Sequence, residues 1–588
     1  MEIYLDNAST SFPKPKIMAD AMYDYIMNIG GNSGRGNYSN SYESNKKILI
    51  AREKIATFFN YEKSENVIFT NNITSSLNIL IKGLLKPGDH VISSTLEHNS
   101  VLRPLFECSK LLNIDIDLVE ASKEGFINPS DISNKINDKT KLVIISHGSN
   151  VIGSIQDIVT VGSICKEKNI FYIIDTAQTA GVIDVDMKKC NANAIAFTGH
   201  KSLLGPQGIG GFIIDDSLNN VCSPILSGGT GSLSHSIEQP DFLPDKFECG
   251  TLNSPGIIGL STAIDFINNE GLETIRSKNS YLRTKLYEGM LNIDGIKLYG
   301  NSEFSRYTTC LSFNYKNFDP AEVAYYLESN GIKTRSGLHC APLAHKSIGS
   351  YPGGTIRLSV GYFNTEEEIN YTLSVLNNIK IWIYTCFIGN NFNKGGFFMD
   401  TNLCIDSTAP NSYENIRDYL YTQLKPIINK KRPIIFLCIG SDRSTGDCLG
   451  PIIGYKLQFL KRKNFYIYGT LENPIHAKNI DVILKRIDEN FENPFIVAVD
   501  ACLGSFQNVG KVIIKNEPLT PGSALNKSLP SIGDMSITGI VNISGNFEFM
   551  VLQNTRLYTV MALADSISNG IYHFILKSVG GKKSSNSL

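Results

Sequence analysis

The sequence lacks CxxC pairs: its twelve cysteines are scattered along 588 residues. That argues against a zinc ribbon or a disulfide framework and for reduced thiols in a cytosol. It also lacks a charge excess, with 55 Lys and Arg against 56 Asp and Glu, so there is no electrostatic case for nucleic acid or an anionic membrane. No apolar run is long enough to span a bilayer; the longest, such as KLVIISH, are strand-sized. The start, MEIYLDNAST, has no basic region followed by an apolar core, so no secretory signal is expected. Tryptophan occurs once, and no internal repeat is visible.

At 42% hydrophobic and 19% charged residues, the chain can bury cores, and its length exceeds what one core usually supports. Between about residues 66 and 215, NVIFT, DHVISST, IDIDLVE, KLVIISH, FYIIDT and AIAFTG read as strands. Helix-like segments such as SSLNILIKGLL and IVTVGSICKEKN separate some of them, which predicts a largely parallel α/β sheet buried on both faces. After about residue 265 the texture changes to long helices and hairpin-like strands around TTCLSFNY, expected to form a small α+β subdomain. The expected division is a first domain over 1–380, a linker over 381–400, a second α/β domain over 401–580 and a disordered tail over 581–588.

Within TGHKSLLGPQGIGG, Lys201 stands between His200 and a Gly-rich loop. Such a lysine is either a solvated surface residue or one that forms a Schiff base with a carbonyl cofactor. Upstream, IIDTAQTAG ends an apolar strand with Asp175 followed by Gln178, where open α/β sheets place ligand-binding groups. Pyridoxal phosphate needs both a lysine for its aldehyde and an acid for its ring nitrogen. The amides of Ile73 and Thr74, in FTNNITSSLNIL, are placed to meet a phosphate at a helix start. His98, in STLEHNSVL, follows a strand and could stack on a flat ring or be merely structural. Cys340, in RSGLHCAPLAH, reads as a nucleophile, a metal ligand or a small buried residue.

The order of EHNS, SHGSNVIG, DTAQTAG, TGHKSLLGPQGIG, FECGTLN, RSGLHCAPLAH and GTIRLSVGYFNT resembles the class V aminotransferase family, specifically its SufS-type cysteine desulfurases and selenocysteine lyases. The resemblance covers about residues 1–380. It implies the fold type I of pyridoxal-phosphate enzymes, with Lys201 as the Schiff-base lysine, Asp175 on the ring nitrogen and Gln178 on the phenolic oxygen. His98 would stack on the ring, with Thr74, Thr198 and His200 on the phosphate. Asn150 and Arg357 would grip the substrate carboxylate. Cys340 would take sulfur from L-cysteine, leaving alanine and a persulfide for an unknown acceptor protein, with His339 and Arg335 favouring its thiolate. The resemblance further implies a cytoplasmic homodimer in which Thr251 and the Gly228–Gly229 pair cross to the neighbouring subunit's phosphate. An alternative on the same scaffold is a selenocysteine lyase or another β-eliminating lyase. The sequence departs from the family pattern in the turn before Thr74, which reads NNI where a smaller Gly-Thr pair is usual, and at Leu338, where histidine is frequent.

In the second domain, CIGSDRSTGDCLGP and FIVAVDACLG place Asp447 after one strand and Asp500 at the expected end of another. These stretches resemble the YyaC-type sporulation proteins, whose fold is similar to that of hydrogenase maturation proteases. In those proteases, acids matching Asp447 and Asp500 bind a metal together with a histidine, which implies a divalent-metal site here. Asp534 in SIGDMSITG comes without a matching histidine, so the expectation is an adaptor, with a metal-dependent peptidase as its alternative.

Overall fold

The computed structural model describes residues 2–579 except 34–35, 37, 302, 317, 380–402, 410, 461, 463, 506–507, 520–530, 545–547 and 554. The expected linker, 381–400, and tail, 581–588, lie outside the described residues. The chain divides into two compact units, Met1–Ile388 and Gly389–Leu588.

The first unit opens with the short β1 (Ile3–Tyr4). Its large sheet uses β2 (Val67–Thr70), β3 (His90–Ser94), β4 (Asp115–Val119), β5 (Thr140–Ser146), β6 (Phe171–Asp175), β7 (Ala194–Thr198) and β8 (Gly210–Ile214). They lie in the order β2-β8-β7-β6-β5-β3-β4, all in one direction except β8. Continuous apolar runs form these strands because both faces are buried. Val143, Ile145, Ile174 and Phe197 join one core, and Leu142, Ile144, Ile173 and Ala196 join the other. The reversed β8, GGFII, was not among the expected strands because its glycines read as loop. A Cβ on Gly211 would stand 2.4 Å from the Ile68 carbonyl oxygen and 2.6 Å from the Phe197 ring, so glycine is what admits this strand between its neighbours.

The small antiparallel sheet has β9 (Ile296–Tyr299), β10 (Cys310–Tyr315), β12 (Arg335–Gly337) and β13 (Thr355–Ser359) in the order β12-β13-β10-β9. Beside it β11 (Ile332–Lys333) pairs in parallel with β1. The chain's first strand is thereby fixed to the small subdomain, where Ile3 and Leu5 share a core with Leu311, Phe313, Ile356 and Leu358. Gly271, at φ +81°, separates the helices Ser254–Glu270 and Leu272–Leu291.

The second unit holds β14 (Leu403–Asp406), β15 (Ile434–Cys438), β16 (Phe465–Tyr468), β17 (Phe495–Gly504), β18 (Lys511–Lys515) and β19 (Met535–Ile543). Their order is β14-β18-β19-β17-β15-β16; β16, β15, β17 and β19 run parallel and β18 is reversed. The helices Ser412–Asn429 and Leu557–Val579 cover one face, and Ile480–Asn490 covers the other. No helix among the described residues of the chain is long and apolar enough to cross a membrane.

Candidate active site

Parallel strands present their carboxyl ends along one edge of a sheet, and the loops beyond them converge there. Past β2 come Ile73 and Thr74, past β3 His98, and past β5 Asn150. Asp175 ends β6, Gln178 follows it, and Thr198 at the end of β7 leads to His200 and Lys201. All of these line one cavity of about 220 Å³, joined by Arg335 and Arg357 from the small sheet and by Ala8 and Ser9 from the N-terminal segment.

Burial sets the electrostatics of this cavity. It lowers the Lys201 ammonium to about 8, opposed by the nearby Asp175 carboxylate. It raises Asp175, whose carboxylate accepts the Ala177 N–H at 2.9 Å and faces the charge of Lys201. His98 and His200 are each lowered to about 4, first by burial and then by the charge of Lys201, so both rings are neutral near pH 7. His98 Nδ1 accepts the Ser100 N–H at 3.1 Å, capping the helix Asn99–Leu112 and fixing the ring.

Four buried polar atoms of cavity-lining residues have no protein partner: Thr198 Oγ1, His200 Nδ1, Asn150 Oδ1 and Arg357 Nε. Such atoms call for a polar occupant. At the start of the helix Ile73–Leu84, the Asn72 side chain accepts the Ser75 N–H at 3.0 Å, so this cap serves neither the Ile73 nor the Thr74 amide. A lysine, a buried acid, free amides at a helix start and unpartnered donors around one cavity fit pyridoxal phosphate.

Arg335 and Arg357 are direct cross-strand partners. Like charges so placed repel, and a third group reconciles them. Ser9 Oγ accepts Arg335 Nη1 at 3.0 Å and Arg357 Nη2 at 2.8 Å while donating to Asp6 Oδ1 at 2.8 Å. Asp6 Oδ1 also accepts Arg357 Nη2, at 2.7 Å. Neither Asp6 nor Ser9 was singled out in the sequence; the only signal was a polar run, DNAST, directly after a short strand. Glu97 was missed as well. Fully buried and raised to about 7 by burial, it accepts the Ser94 hydroxyl at 2.6 Å and the Ser146 hydroxyl at 2.5 Å, tying the His98 turn to the end of β5.

Cys340 is exposed, and Arg335 Nη2 approaches its Sγ at 3.7 Å. The expectation that His339 also supplies positive charge is corrected. His339 is 3% exposed, and burial together with Arg357 pushes its ring well below the ordinary histidine range, so it is neutral. Its Nε2 meets Thr355 Oγ1 at 3.1 Å, and it does not line the cavity. Asn150 does line the cavity, yet its Nδ2 donates to the His339 carbonyl at 2.6 Å. Thr251 is exposed and stands outside the cavity wall.

In the second unit, Asp500 does not end its strand as expected. β17 runs on to Gly504 because it continues to pair with β19. The shorter β15 stops beside it, where the Ile439 N–H donates to the Val499 carbonyl at 2.7 Å, so Asp500 still stands at the carboxyl edge of β15. Burial and the Asp447 charge push Asp500 well above the carboxylate range. Asp447 is raised by burial, opposed by His476. His476 follows Ile475, whose carbonyl accepts the Gly440 N–H at 2.7 Å, so the histidine segment returns to the loop after β15. Among the described residues, no three His, Cys, Asp or Glu side chains form a group that could hold a metal ion.

Residues 3–372 match the family described as aminotransferase class-V, and residues 404–570 match a protein of unknown function, DUF1256. A probable cysteine desulfurase of Methanothermobacter thermautotrophicus is 37% identical over 383 residues, covering 64% of this chain and 94% of that protein. The cysteine desulfurase IscS of Clostridium botulinum is 30% identical over 393 residues, with coverage of 64% and 94%. Among solved structures, the apo cysteine desulfurase of Thermococcus onnurineus superposes with a TM-score of 0.61 at 32% identity, again covering 64% and 94%.

Proposed function

The chain belongs to the class-V aminotransferase family, and from that premise we propose that its first unit is a pyridoxal-phosphate-dependent cysteine desulfurase. The observation that carries the reading is the cavity shared by Lys201, Asp175, Gln178, Arg335 and Arg357, with Arg335 also 3.7 Å from the exposed Cys340 sulfur.

When bound, pyridoxal phosphate supplies an aldehyde for a lysine amine and an electron-withdrawing ring. Lys201 would hold it and carry protons to and from the substrate carbon. Asp175 would keep a proton on the ring nitrogen, Gln178 would bond the phenolic oxygen, and neutral His98 would pack on the ring. Thr198, His200 and the amides of Ile73 and Thr74 would hold the phosphate, with Thr251 of a second copy. Arg357, with Arg335 and Asn150 beside it, would orient the carboxylate of L-cysteine. Cys340 Sγ then attacks the substrate sulfur: an S–S bond forms and the Cβ–S bond breaks. The electron pair left on carbon takes a proton, giving L-alanine and a Cys340 persulfide that passes its outer sulfur to an acceptor protein. Holoenzyme given L-cysteine and a thiol reductant is expected to release alanine and sulfide in equal amounts. Alanine without sulfide, or no turnover, would sink this reading.

A homodimer is supported by the exposed apolar side chains Ile17, Tyr23, Ile26, Met27 and Tyr42 of the N-terminal helices and by the exposed position of Thr251. Light scattering is expected to give twice the chain mass, and Thr251→Ala to weaken cofactor retention severalfold. A fully active monomer would refute both. The scattered cysteines suit a reducing cytoplasm.

For the second unit we propose a YyaC-like adaptor in which Asp447 and Asp500 form a weak oxygen-donor site for a divalent cation or polar ligand. Among the described residues, no third side chain joins the acids to make the set that tight zinc or nickel binding needs. Titration of the full chain with zinc is expected to show no tight site sensitive to Asp447→Asn or Asp500→Asn. Tight binding lost in both variants, together with peptide cleavage, would make the unit a metallopeptidase.

A further inference from the structure

Ser9 lies where the chain leaves β1 and crosses the cavity. The Ala8 N–H donates to Ser359 Oγ at 2.9 Å and Asn7 Nδ2 donates to the Ser359 carbonyl at 3.0 Å, which ties the segment to β13. On the other side the Ala8 carbonyl accepts Gln178 Nε2 at 3.2 Å, and the Ser11 hydroxyl donates to the Lys201 carbonyl at 2.8 Å. Ser9 is thus held on the cavity wall from both directions.

A hydroxyl has one proton and two lone pairs. Ser9 gives its proton to Asp6 Oδ1 at 2.8 Å, so both lone pairs are left for the guanidiniums, Arg335 Nη1 at 3.0 Å and Arg357 Nη2 at 2.8 Å. The two arginines do not depend on it equally. Arg357 is fully buried and keeps Asp6 Oδ1 at 2.7 Å and the Asn150 carbonyl at 2.8 Å. Arg335 has no carboxylate partner among the described residues; its other contact is Cys340 Sγ at 3.7 Å. Taking away the Ser9 oxygen therefore leaves Arg357 anchored and Arg335 free to move off from the like charge across the strand pair.

We propose that Ser9 is a positioning residue for Arg335: its hydroxyl, turned by Asp6, holds that guanidinium between the cavity and the Cys340 sulfur, so that positive charge stands at the nucleophile and not out in solvent. The proposal rests on the desulfurase reading and leaves the substrate carboxylate with Arg357 and Asn150, Arg335 beside them. Ser9 touches neither the nucleophile nor the substrate in this role; it acts through the one guanidinium that reaches the thiol.

The test uses the full-length holoenzyme and labels Cys340 with iodoacetate, an anion, and with iodoacetamide, its neutral analogue, followed by peptide mass spectrometry. Dividing the two rates cancels the reactivity of the thiol and leaves the pull of nearby positive charge on the reagent's carboxylate. Cys404, exposed in the second unit, is the internal reference. Relative to Cys404, wild-type Cys340 is expected to favour iodoacetate. Ser9→Ala should lower that preference severalfold, and Ser9→Thr, which restores the hydroxyl, should keep it. Arg335→Gln should lower it as far as Ser9→Ala does, and the two together no further, because both act on one charge. Sulfide release from L-cysteine by Ser9→Ala should fall by about tenfold in kcat/KM, the scale of one lost hydrogen bond to a charged group. A wild-type Cys340 without the preference, an unchanged preference in Ser9→Ala, its loss in Ser9→Thr, or a further loss in the double variant would overturn the proposal. If the wild type itself makes no alanine, the desulfurase reading has failed, and the labelling ratio still decides whether Ser9 holds Arg335 at the thiol.

Discussion

Lys201→Ala is expected to yield a folded, colourless protein that stays colourless after pyridoxal phosphate is added and removed by gel filtration, while the wild type is yellow. The amine is the only nucleophilic nitrogen proposed to take the aldehyde, and among the described residues no other lysine lines the cavity. Activity should fall by roughly 10³-fold or more, because the same amine is assigned both the attachment and the proton transfers. Burial lowers Lys201 to about 8. Only the neutral amine condenses with an aldehyde, so cofactor uptake by apo-protein should quicken about tenfold per pH unit below about 8 and level off above it. The sign follows from the depressed value: raising the pH through it removes the proton that blocks attack. A variant that keeps the absorption band of the wild type would remove Lys201 from the cofactor site.

Cys340→Ser is expected to keep the colour and lose desulfuration by roughly 10²-fold or more, since a hydroxyl cannot accept sulfur as a persulfide. Cofactor binding and sulfur removal separate because Cys340 is exposed and off the cavity wall, linked to it through Arg335. Mass spectrometry of wild type after L-cysteine should find one extra sulfur on the Cys340 peptide, absent from the variant. Undiminished sulfide release by the variant would exclude Cys340 from the mechanism. Selenide release from L-selenocysteine surviving in a variant that has lost activity on L-cysteine would favour the lyase reading, as selenium is the better leaving atom.

The parallel strands and the order of the site loops were legible in the sequence because both are local. An apolar run such as FYII needs only its own side chains to announce a doubly buried strand, and Asp175 announces the end of that run. Lys201 between His200 and a Gly-rich loop is likewise a pattern of adjacent residues. GGFII was illegible because what makes it a strand is the Phe197 ring and the Ile68 carbonyl, which crowd out any side chain at Gly211. Asp500 was placed one element-boundary wrong, because how far β17 runs depends on β19, a partner about forty residues downstream.

The sequence by itself determined which chemical groups this protein brings to and beside one cavity: an amine, a carboxylate, two guanidiniums and a thiol. Tertiary structure alone decided their states and alliances. His339 adjoins Cys340 in sequence yet is neutral, because burial disfavours the charged ring and Arg357 repels it. Ser9 reconciles two arginines more than three hundred residues away, and the Asn150 amide turns toward a backbone carbonyl that no spacing rule connects to it. Desolvation and hydrogen-bond choice depend on which atoms surround a group, and those surroundings come from segments distant in the chain.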